Sequence, residues 1–169
     1  DYPDTFTQKS GAFTTLNTYP ENELRGCIGL PLPRQPLIDA LIESAMSATH
    51  DPRFPPLSPS ELDRIVVEVT ILSPLEVIKA RNPKDYIAQI QIGRDGLYLE
   101  SSWYSGLLLP QVPVEYGWDV EEYLAHLSMK AGMAADGWTR DGVRISRFSG
   151  DVFHEVEPRG RVVREELVR

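Results

Sequence analysis

A run of four prolines constrains the fold of this chain more than any other feature of its sequence. The prolines stand at positions 52, 55, 56 and 59 within "HDPRFPPLSPSE", and they prevent regular helix or strand in that segment. Before it, residues 36–50 repeat apolar side chains at helical spacing. After it, "RIVVEVTIL" (64–72) alternates in the manner of a strand. The sequence therefore predicts a helix and a strand separated by a stiff loop.

The remaining segments do not alternate as regular strand–helix–strand units. "AFTTLN" (12–17) and "LRGCIG" (24–29) predict two strands, "AQIQI" and "LYLES" a hairpin around "GRDG" (93–96), and "GLLLPQV" (106–112) a further strand. Residues 118–132 predict a helix that Asp119 caps, and "VRISRFSGDVFHEV" predicts one or two late strands. This order favours the α+β class over a doubly wound sheet.

Composition limits the classes of function. The net charge of −8 argues against nonspecific binding of nucleic acid or of an anionic membrane. No apolar run approaches the ~20 residues that span a bilayer. A single cysteine excludes a disulfide framework within the 169 residues and fits a reducing compartment, so we expect a cytoplasmic protein. The chain begins at Asp1 without a methionine, which suggests a trimmed N-terminus.

Motifs for common cofactors are missing from the sequence. It contains no GxxxxGK[ST] phosphate loop and no GxGxxG, and its three histidines lack H-x-H or HExxH spacing. We therefore expect neither a metal nor another cofactor.

The one cysteine lies in the strand segment "LRGCIG". Because side chains alternate along a strand, Leu24 and Ile28 are expected to face the core, and Arg25 and Cys27 the opposite side. A guanidinium near a thiol favours the thiolate, which is the nucleophilic form. Gly26 and Gly29 mark a bulge or a close approach of a ligand or another backbone, and are candidate ligand-binding residues. A buried cysteine that only fills space is the alternative.

Other candidates flank the proline-rich loop and the strongest strand. Asp51 and Arg53 form either a binding-site wall or local turn structure, whereas His50 favours a purely local role at the helix end. Glu68 is expected on the opposite side of its strand from Val67, where it is either solvated, paired with Arg25 or Arg53, or a base with a tuned pKa. Gln111 could offer its amide to a ligand or bond to the loop backbone.

Several segments in the same order resemble the AMMECR family. The match includes "GAFTTL" (11–16), "LRGCIG" (24–29), "HDPRFPP" (50–56), "VVEVTIL" (66–72), "YSGLLLPQVPVEYGWDVEEYL" (104–124) and "KAGM" (130–133). The resemblance implies an antiparallel sheet flanked by helices, a second, smaller inserted lobe, and a cleft between the lobes. With the polar segment "RNPKDY" (81–86) as a boundary, we expect a larger lobe of residues 1–88 and 152–169 and a smaller lobe of residues 89–151. Ser128 stands where relatives often carry a further cysteine, which argues against a two-cysteine mechanism.

The resemblance does not imply an established reaction. It associates archaeal and bacterial relatives with a Memo-type dioxygenase and a radical-SAM enzyme, and suggests a shared modification pathway. The leading hypothesis is a cleft that binds a small polar or anionic ligand, with Cys27, Glu68 and Asp51 as candidate catalytic residues. Ligand-binding candidates are Arg25, Gly26, Gly29, Arg53 and Gln111. The alternative is a non-enzymatic adaptor that binds a protein partner in transcription, replication, repair or translation.

Overall fold

The computed structural model describes residues 3–165 of the chain. Their internal contacts divide them into two compact units, one of residues 3–74 with 151–165 and one of residues 75–150. The expected change of lobe at residue 88 falls inside the second unit, because the polar segment 81–86 begins a helix and is not a linker. The expected return at residue 152 lies next to the division at residues 150 and 151.

Nine strands and four α-helices are present in the described residues. In chain order they are β1 (Ala12–Thr18), β2 (Leu24–Leu30), α1 (Leu37–Ala48), β3 (Ile65–Leu72), β4 (Glu76–Val77), α2 (Pro83–Gln89), β5 (Gly96–Glu100), β6 (Ser105–Leu108), α3 (Gln111–Tyr116), α4 (Val120–Lys130), β7 (Arg144–Phe148), β8 (Gly150–Glu155) and β9 (Val162–Glu165). Short 3-10 helices form at Asp4–Thr7, Pro59–Arg64 and Gly137–Thr139.

The first unit is a five-stranded sheet with one helix packed on it. Its strand order is β2-β1-β3-β8-β9, and β1 is antiparallel to both β2 and β3. Leu16 of β1 and Ala48 of α1 belong to one buried cluster between sheet and helix. In the same layer, the buried hydroxyls of Thr14 and Ser44 lie 2.7 Å apart. The face of the sheet that carries Thr14 and Leu16 is therefore covered by α1, and the intervening residues of β1 lie on the other face.

The expected elements of this unit are confirmed. The strands around residues 12–17, 24–29 and 64–72 and the helix within residues 36–50 all form, and the proline-rich segment contains only the 3-10 helix after Ser58. Proline permits that short helix because it stands at the first helical position, where its missing N–H costs nothing.

The second unit contains a four-stranded sheet of order β4-β7-β5-β6. Its core includes Leu97, Leu99 and Ile145 of the sheet with Tyr123 and Leu127 of α4. The capping box of Asp119 and Glu122 at the start of α4 is confirmed. The antiparallel strands and the helices of the two units confirm the α+β class.

One expectation in the second unit is wrong, and another holds only in part. Residues 88–92 do not form a strand: Asn82 and Asp85 make a capping box, and Pro83 starts α2. The hairpin instead joins β5 to β6. The segment 106–112 is a strand only as far as Leu108, and Gln111 already begins α3.

Within residues 3–165, none of the helices has both the length and the apolar content needed to cross a bilayer.

Candidate functional site

Cys27 lies in a row of polar side chains on the sheet face opposite α1. In the antiparallel register, Thr15 of β1 is opposite Cys27 of β2 on one side and Glu68 of β3 on the other. Residues directly opposite one another project to the same face of a sheet. The row therefore runs Cys27–Thr15–Glu68, with the Cα atoms of Cys27 and Glu68 about 10 Å apart, or two strand spacings.

Cys27 is half-buried, so its thiol is neither enclosed in the core nor fully in solvent. The Thr15 hydroxyl donates a hydrogen bond to Cys27 Sγ over 3.2 Å. The contact restricts where the sulfur lies, because the hydroxyl and the thiol come from paired positions of neighbouring strands.

Asp51 and Arg53 hold the main chain of Cys27. The Cys27 N–H donates to Asp51 Oδ2 over 2.9 Å, and Arg53 Nη2 donates to the Cys27 carbonyl oxygen over 3.4 Å. The two side chains are themselves paired, since Arg53 Nη2 donates to Asp51 Oδ2 over 2.7 Å and Arg53 Nε to Asp51 Oδ1 over 3.1 Å. The planar fork of the guanidinium matches the carboxylate, as in other bidentate pairs.

This bonding fixes the charge of Asp51. Hydrogen bonds from the Arg53 side chain, and then from the main-chain N–H groups of Cys27 and Arg53, hold the pKa of the Asp51 carboxyl well below its usual range, although burial opposes the shift. The residue is only 2% exposed. A carboxylate that stays ionised and already accepts four hydrogen bonds does not fit the expected proton-transfer role, and its position indicates a structural one.

Arg53 keeps part of its guanidinium available. Its hydrogen bond to Asp51 raises its pKa, and 58% of its side chain is exposed. Nε and Nη2 are bonded to Asp51 and Cys27, whereas Nη1 has no hydrogen-bond partner within the described part of the chain.

Arg25 is not bonded to Cys27. Its Nε and Nη2 donate to the two Glu61 carboxylate oxygens over 3.0 and 3.3 Å. The Ser58 N–H and then the Arg25 side chain lower the pKa of Glu61 to about 2. The β1–β2 register shifts between Leu16 and Asn17, which places an irregularity at Arg25 and removes the regular alternation on which the expected pairing of Arg25 with Cys27 rested.

The other residues of the β2 motif have packing roles. Leu24 was expected in the core and is 43% exposed, since the same register shift turns it outward. A Cβ on Gly26 would overlap the main-chain carbonyl oxygen of Ala48 at the end of α1. A Cβ on Gly29 would overlap the ring of Phe13. For both glycines the close approach expected from the sequence is made by the protein itself.

The remaining candidates are dispersed. Glu68 is half-buried in the row described above. His50 is exposed, and its Nδ1 lies 2.8 Å from Thr49 Oγ1, which agrees with a local role. Gln111 lies in the second unit, and its buried Oε1 has no hydrogen-bond partner among residues 3–165.

The sequence predictions missed three residues that contact the candidate side chains Cys27, Arg25 and Arg53. Thr15 could have been found by pairing the two strands of the first hairpin, and Glu61 by the Ser-x-x-Glu capping signature that begins at Ser58. Phe54 gave no such signal. Its ring centroid lies 5.6 Å from Arg53 Cζ and 6.0 Å from Arg25 Cζ, within the range of cation–π contact.

The described residues contain no cluster of side chains that would indicate a metal site. Among residues 3–165, no group of three or more His, Cys, Asp or Glu side chains is arranged to hold a metal ion.

Comparison with known proteins places the chain in a family. The AMMECR1 family model matches residues 1–153. Protein MJ0810 of Methanocaldococcus jannaschii is 61% identical over 168 residues, which cover 99% of this chain and 84% of that protein. The crystal structure of the uncharacterized protein PH0010 from Pyrococcus horikoshii matches with a TM-score of 0.88 and 46% identity, over 99% of this chain and 84% of that one. The chain therefore belongs to the AMMECR1 family.

Proposed function

We propose that the first unit binds a small anionic ligand beside Cys27, with Arg53 as the charged contact. The observation that carries this proposal is that the paired side chains of Asp51 and Arg53 form hydrogen bonds with the main chain of Cys27. This bonding fixes a half-exposed guanidinium relative to a half-buried thiol before any ligand arrives. Such preorganisation lowers the entropy that binding costs.

The charge of the molecule makes a local donor necessary. A chain of net charge −8 does not attract anions by its overall field. The two N–H groups on Arg53 Nη1 can donate to a carboxylate or a phosphoryl group while Nε and Nη2 remain bonded to Asp51. Arg25 is less suited, because 14% of its side chain is exposed and Glu61 is bonded to it.

The chemistry that this geometry supports is attack by sulfur. If the bound ligand carries an electrophilic carbon, the Cys27 thiolate forms a sulfur–carbon bond and the leaving group departs with its electron pair. In this scheme Thr15 positions the sulfur and Asp51 positions Arg53. Glu68, two strands from Cys27, is the candidate base.

The test compares two thiol reagents that differ in charge. Iodoacetate and iodoacetamide transfer similar groups with the same leaving group, so the ratio of their rate constants at Cys27 reports attraction of an anion. Loss of one solvent-exposed charged contact, about 1 kcal/mol, should lower the iodoacetate-to-iodoacetamide ratio about fivefold in Arg53→Met. Arg53→Lys, which keeps the charge but not the planar fork, should fall between this variant and the wild type.

Arg34→Met is the matched control, since Arg34 is an exposed arginine outside the Cys27 row. It removes the same charge and should leave the ratio unchanged. Equal ratios in the wild type, Arg53→Met and Arg34→Met would overturn anion recruitment by Arg53. Unfolding midpoints of all the variants show whether each protein remains folded.

A protein-binding adaptor is the second candidate function. Trp103 is 90% exposed in the turn between β5 and β6, and Met46 is 63% exposed on α1. Exposed large apolar side chains of this kind occur at protein contacts. An unchanged reagent ratio would leave the adaptor as the better-supported function. Family membership is the only support for placing either function in a pathway with a dioxygenase and a radical-SAM enzyme.

A further inference from the structure

The first unit contains a cavity of about 520 Å³ that does not include Cys27 or Arg53 among its lining residues. It is bordered by the end of β1 and the turn after it, by β3, and by β8 and β9. Cavities of a few hundred cubic ångströms accommodate organic ligands.

A side-chain carboxylate bonds to β3 at the end of β8, beside the cavity. These strands are neighbours in the sheet, yet the Val67 N–H donates over 2.9 Å to the side-chain Oε2 of Glu155. A carboxylate thus occupies the place that a main-chain carbonyl takes in a regular ladder. The result is a carboxylate set into the wall of the cavity, with its second oxygen available for a ligand.

The charged side chains of the wall are acidic. Glu68, Glu155 and Glu165 line the cavity, and its lining within residues 3–165 includes no lysine or arginine. His154 is the one basic side chain found there among those residues, and its Nδ1 lies 3.7 Å from Glu165 Oε2. That Nδ1 atom is buried and has no hydrogen-bond partner within the described chain. A buried polar atom without a hydrogen-bond partner is costly, which suggests that a ligand supplies the partner.

The wall also suits an organic cation better than a metal ion. No group of three or more His, Cys, Asp or Glu side chains in the described residues is arranged to hold a metal ion. Asn17 and Asn22 line the cavity and can offer amide oxygens to N–H donors. Tyr19, 39% exposed, also lines it, and an aromatic ring attracts an ammonium group.

We propose that this cavity binds an organic cation that carries primary ammonium groups. Ammonium groups of the ligand donate to the carboxylates of Glu155 and Glu165 and to His154 Nδ1, and the remainder of the ligand occupies the space lined by Tyr19 and the two asparagines. This site has the opposite charge preference from the anion site at Arg53, and Glu68 borders it at the end of the Cys27–Thr15–Glu68 row.

The test is calorimetric titration of the whole chain with spermidine at low ionic strength. Triethylene glycol, a neutral chain of comparable length, is the ligand control and should not bind. Glu155→Gln and Glu165→Gln keep the shape of the side chain and remove its charge, so each should weaken spermidine binding about tenfold, the effect of losing ~1.4 kcal/mol. Glu155→Gln keeps an oxygen that can accept the Val67 N–H.

Glu121→Gln is the matched control, because Glu121 is an exposed glutamate of α4 in the second unit. It changes the net charge equally and should leave the affinity unchanged. Absence of saturable spermidine binding, or equal weakening by Glu121→Gln, would overturn the proposal, since the second result would mean attraction to the overall negative charge. If Glu155→Gln fails to fold, Glu165→Gln decides the matter alone. Arg53→Met should retain spermidine binding, which separates this site from the one at Cys27.

Discussion

The substitution Gly26→Ala distinguishes a packing role of the β2 motif from a ligand-binding role. The added Cβ would overlap the carbonyl oxygen of Ala48, a main-chain atom at the end of α1. Neither the strand nor the helix can relieve this overlap by rotating a side chain. One of the two backbones must move, and overpacking of a close contact costs about 2–3 kcal/mol.

The expected fall in melting temperature follows from the size of the chain. For a protein of 169 residues, each kcal/mol lowers the melting temperature by about 2–4 °C. Gly26→Ala should therefore lower it by about 4–12 °C, which calorimetry or circular dichroism can measure. The intrinsic gain from replacing a strand glycine, about 0.5–1 kcal/mol, offsets a small part of this loss.

Gly29→Ala is the matched control for the same strand. Its Cβ would meet the ring of Phe13, a side chain that can rotate away, so we expect a cost of about 1 kcal/mol or less. The intrinsic gain is the same for both variants and cancels from their difference. If Gly26→Ala is as stable as Gly29→Ala, the packing account of Gly26 is refuted and the ligand-binding interpretation of that glycine regains support.

Two further predictions concern acid and a buried hydroxyl. Asp51 and Glu61 have lowered pKa values in the folded chain, so their contribution is complete above the unfolded pKa values and is lost as the pH falls from about 5 to about 2. Melting temperatures over this range should therefore fall less steeply for Asp51→Asn than for the exposed-site control Asp39→Asn, and parallel curves would contradict this account. Ser128→Ala removes the hydroxyl that accepts the buried main-chain N–H of Trp138. It should lower the free energy of unfolding, measured with denaturant, by about 1–3 kcal/mol. Ser102→Ala, at an exposed serine, is the control and should change the free energy of unfolding little. If Ser128→Ala is no more destabilising than this control, the main-chain N–H of Trp138 has found another acceptor, and the prediction is wrong.

Strands and helices were predicted correctly where the apolar pattern of their own residues was sufficient. The β3 alternation and the α1 periodicity needed no information from elsewhere in the chain. Residues 88–92 failed because two isoleucines separated by a glutamine imitate a strand, whereas the capping box at Asn82 directs the same residues into the end of a helix and the loop after it. A start signal several residues upstream thus prevailed over the local alternation.

The candidate site was predictable only in part, because its contacts join distant segments. Asp51 and Arg53 were identified as candidates, but their bonds to Cys27 span 24 and 26 residues of sequence. The pairing of Arg25 with Glu61 depends on a strand irregularity and on a 3-10 helix 36 residues away in sequence. Alternation along a strand gives the face of a residue only while the register is regular, so it could not foresee that Arg53 would approach Cys27 in place of Arg25.

The hydrogen bonds that join Asp51 and Arg53 to the main chain of Cys27 also affect whether strands of different molecules can pair. β2 is the outermost strand of its sheet, and an outermost strand with unsatisfied main-chain groups is a template on which a strand from another chain can add. At Cys27 the carboxylate and guanidinium already occupy the N–H and the carbonyl that an incoming strand would need. The pair that fixes the thiol thus also protects this border of the sheet against intermolecular β-pairing and the aggregation that follows from it.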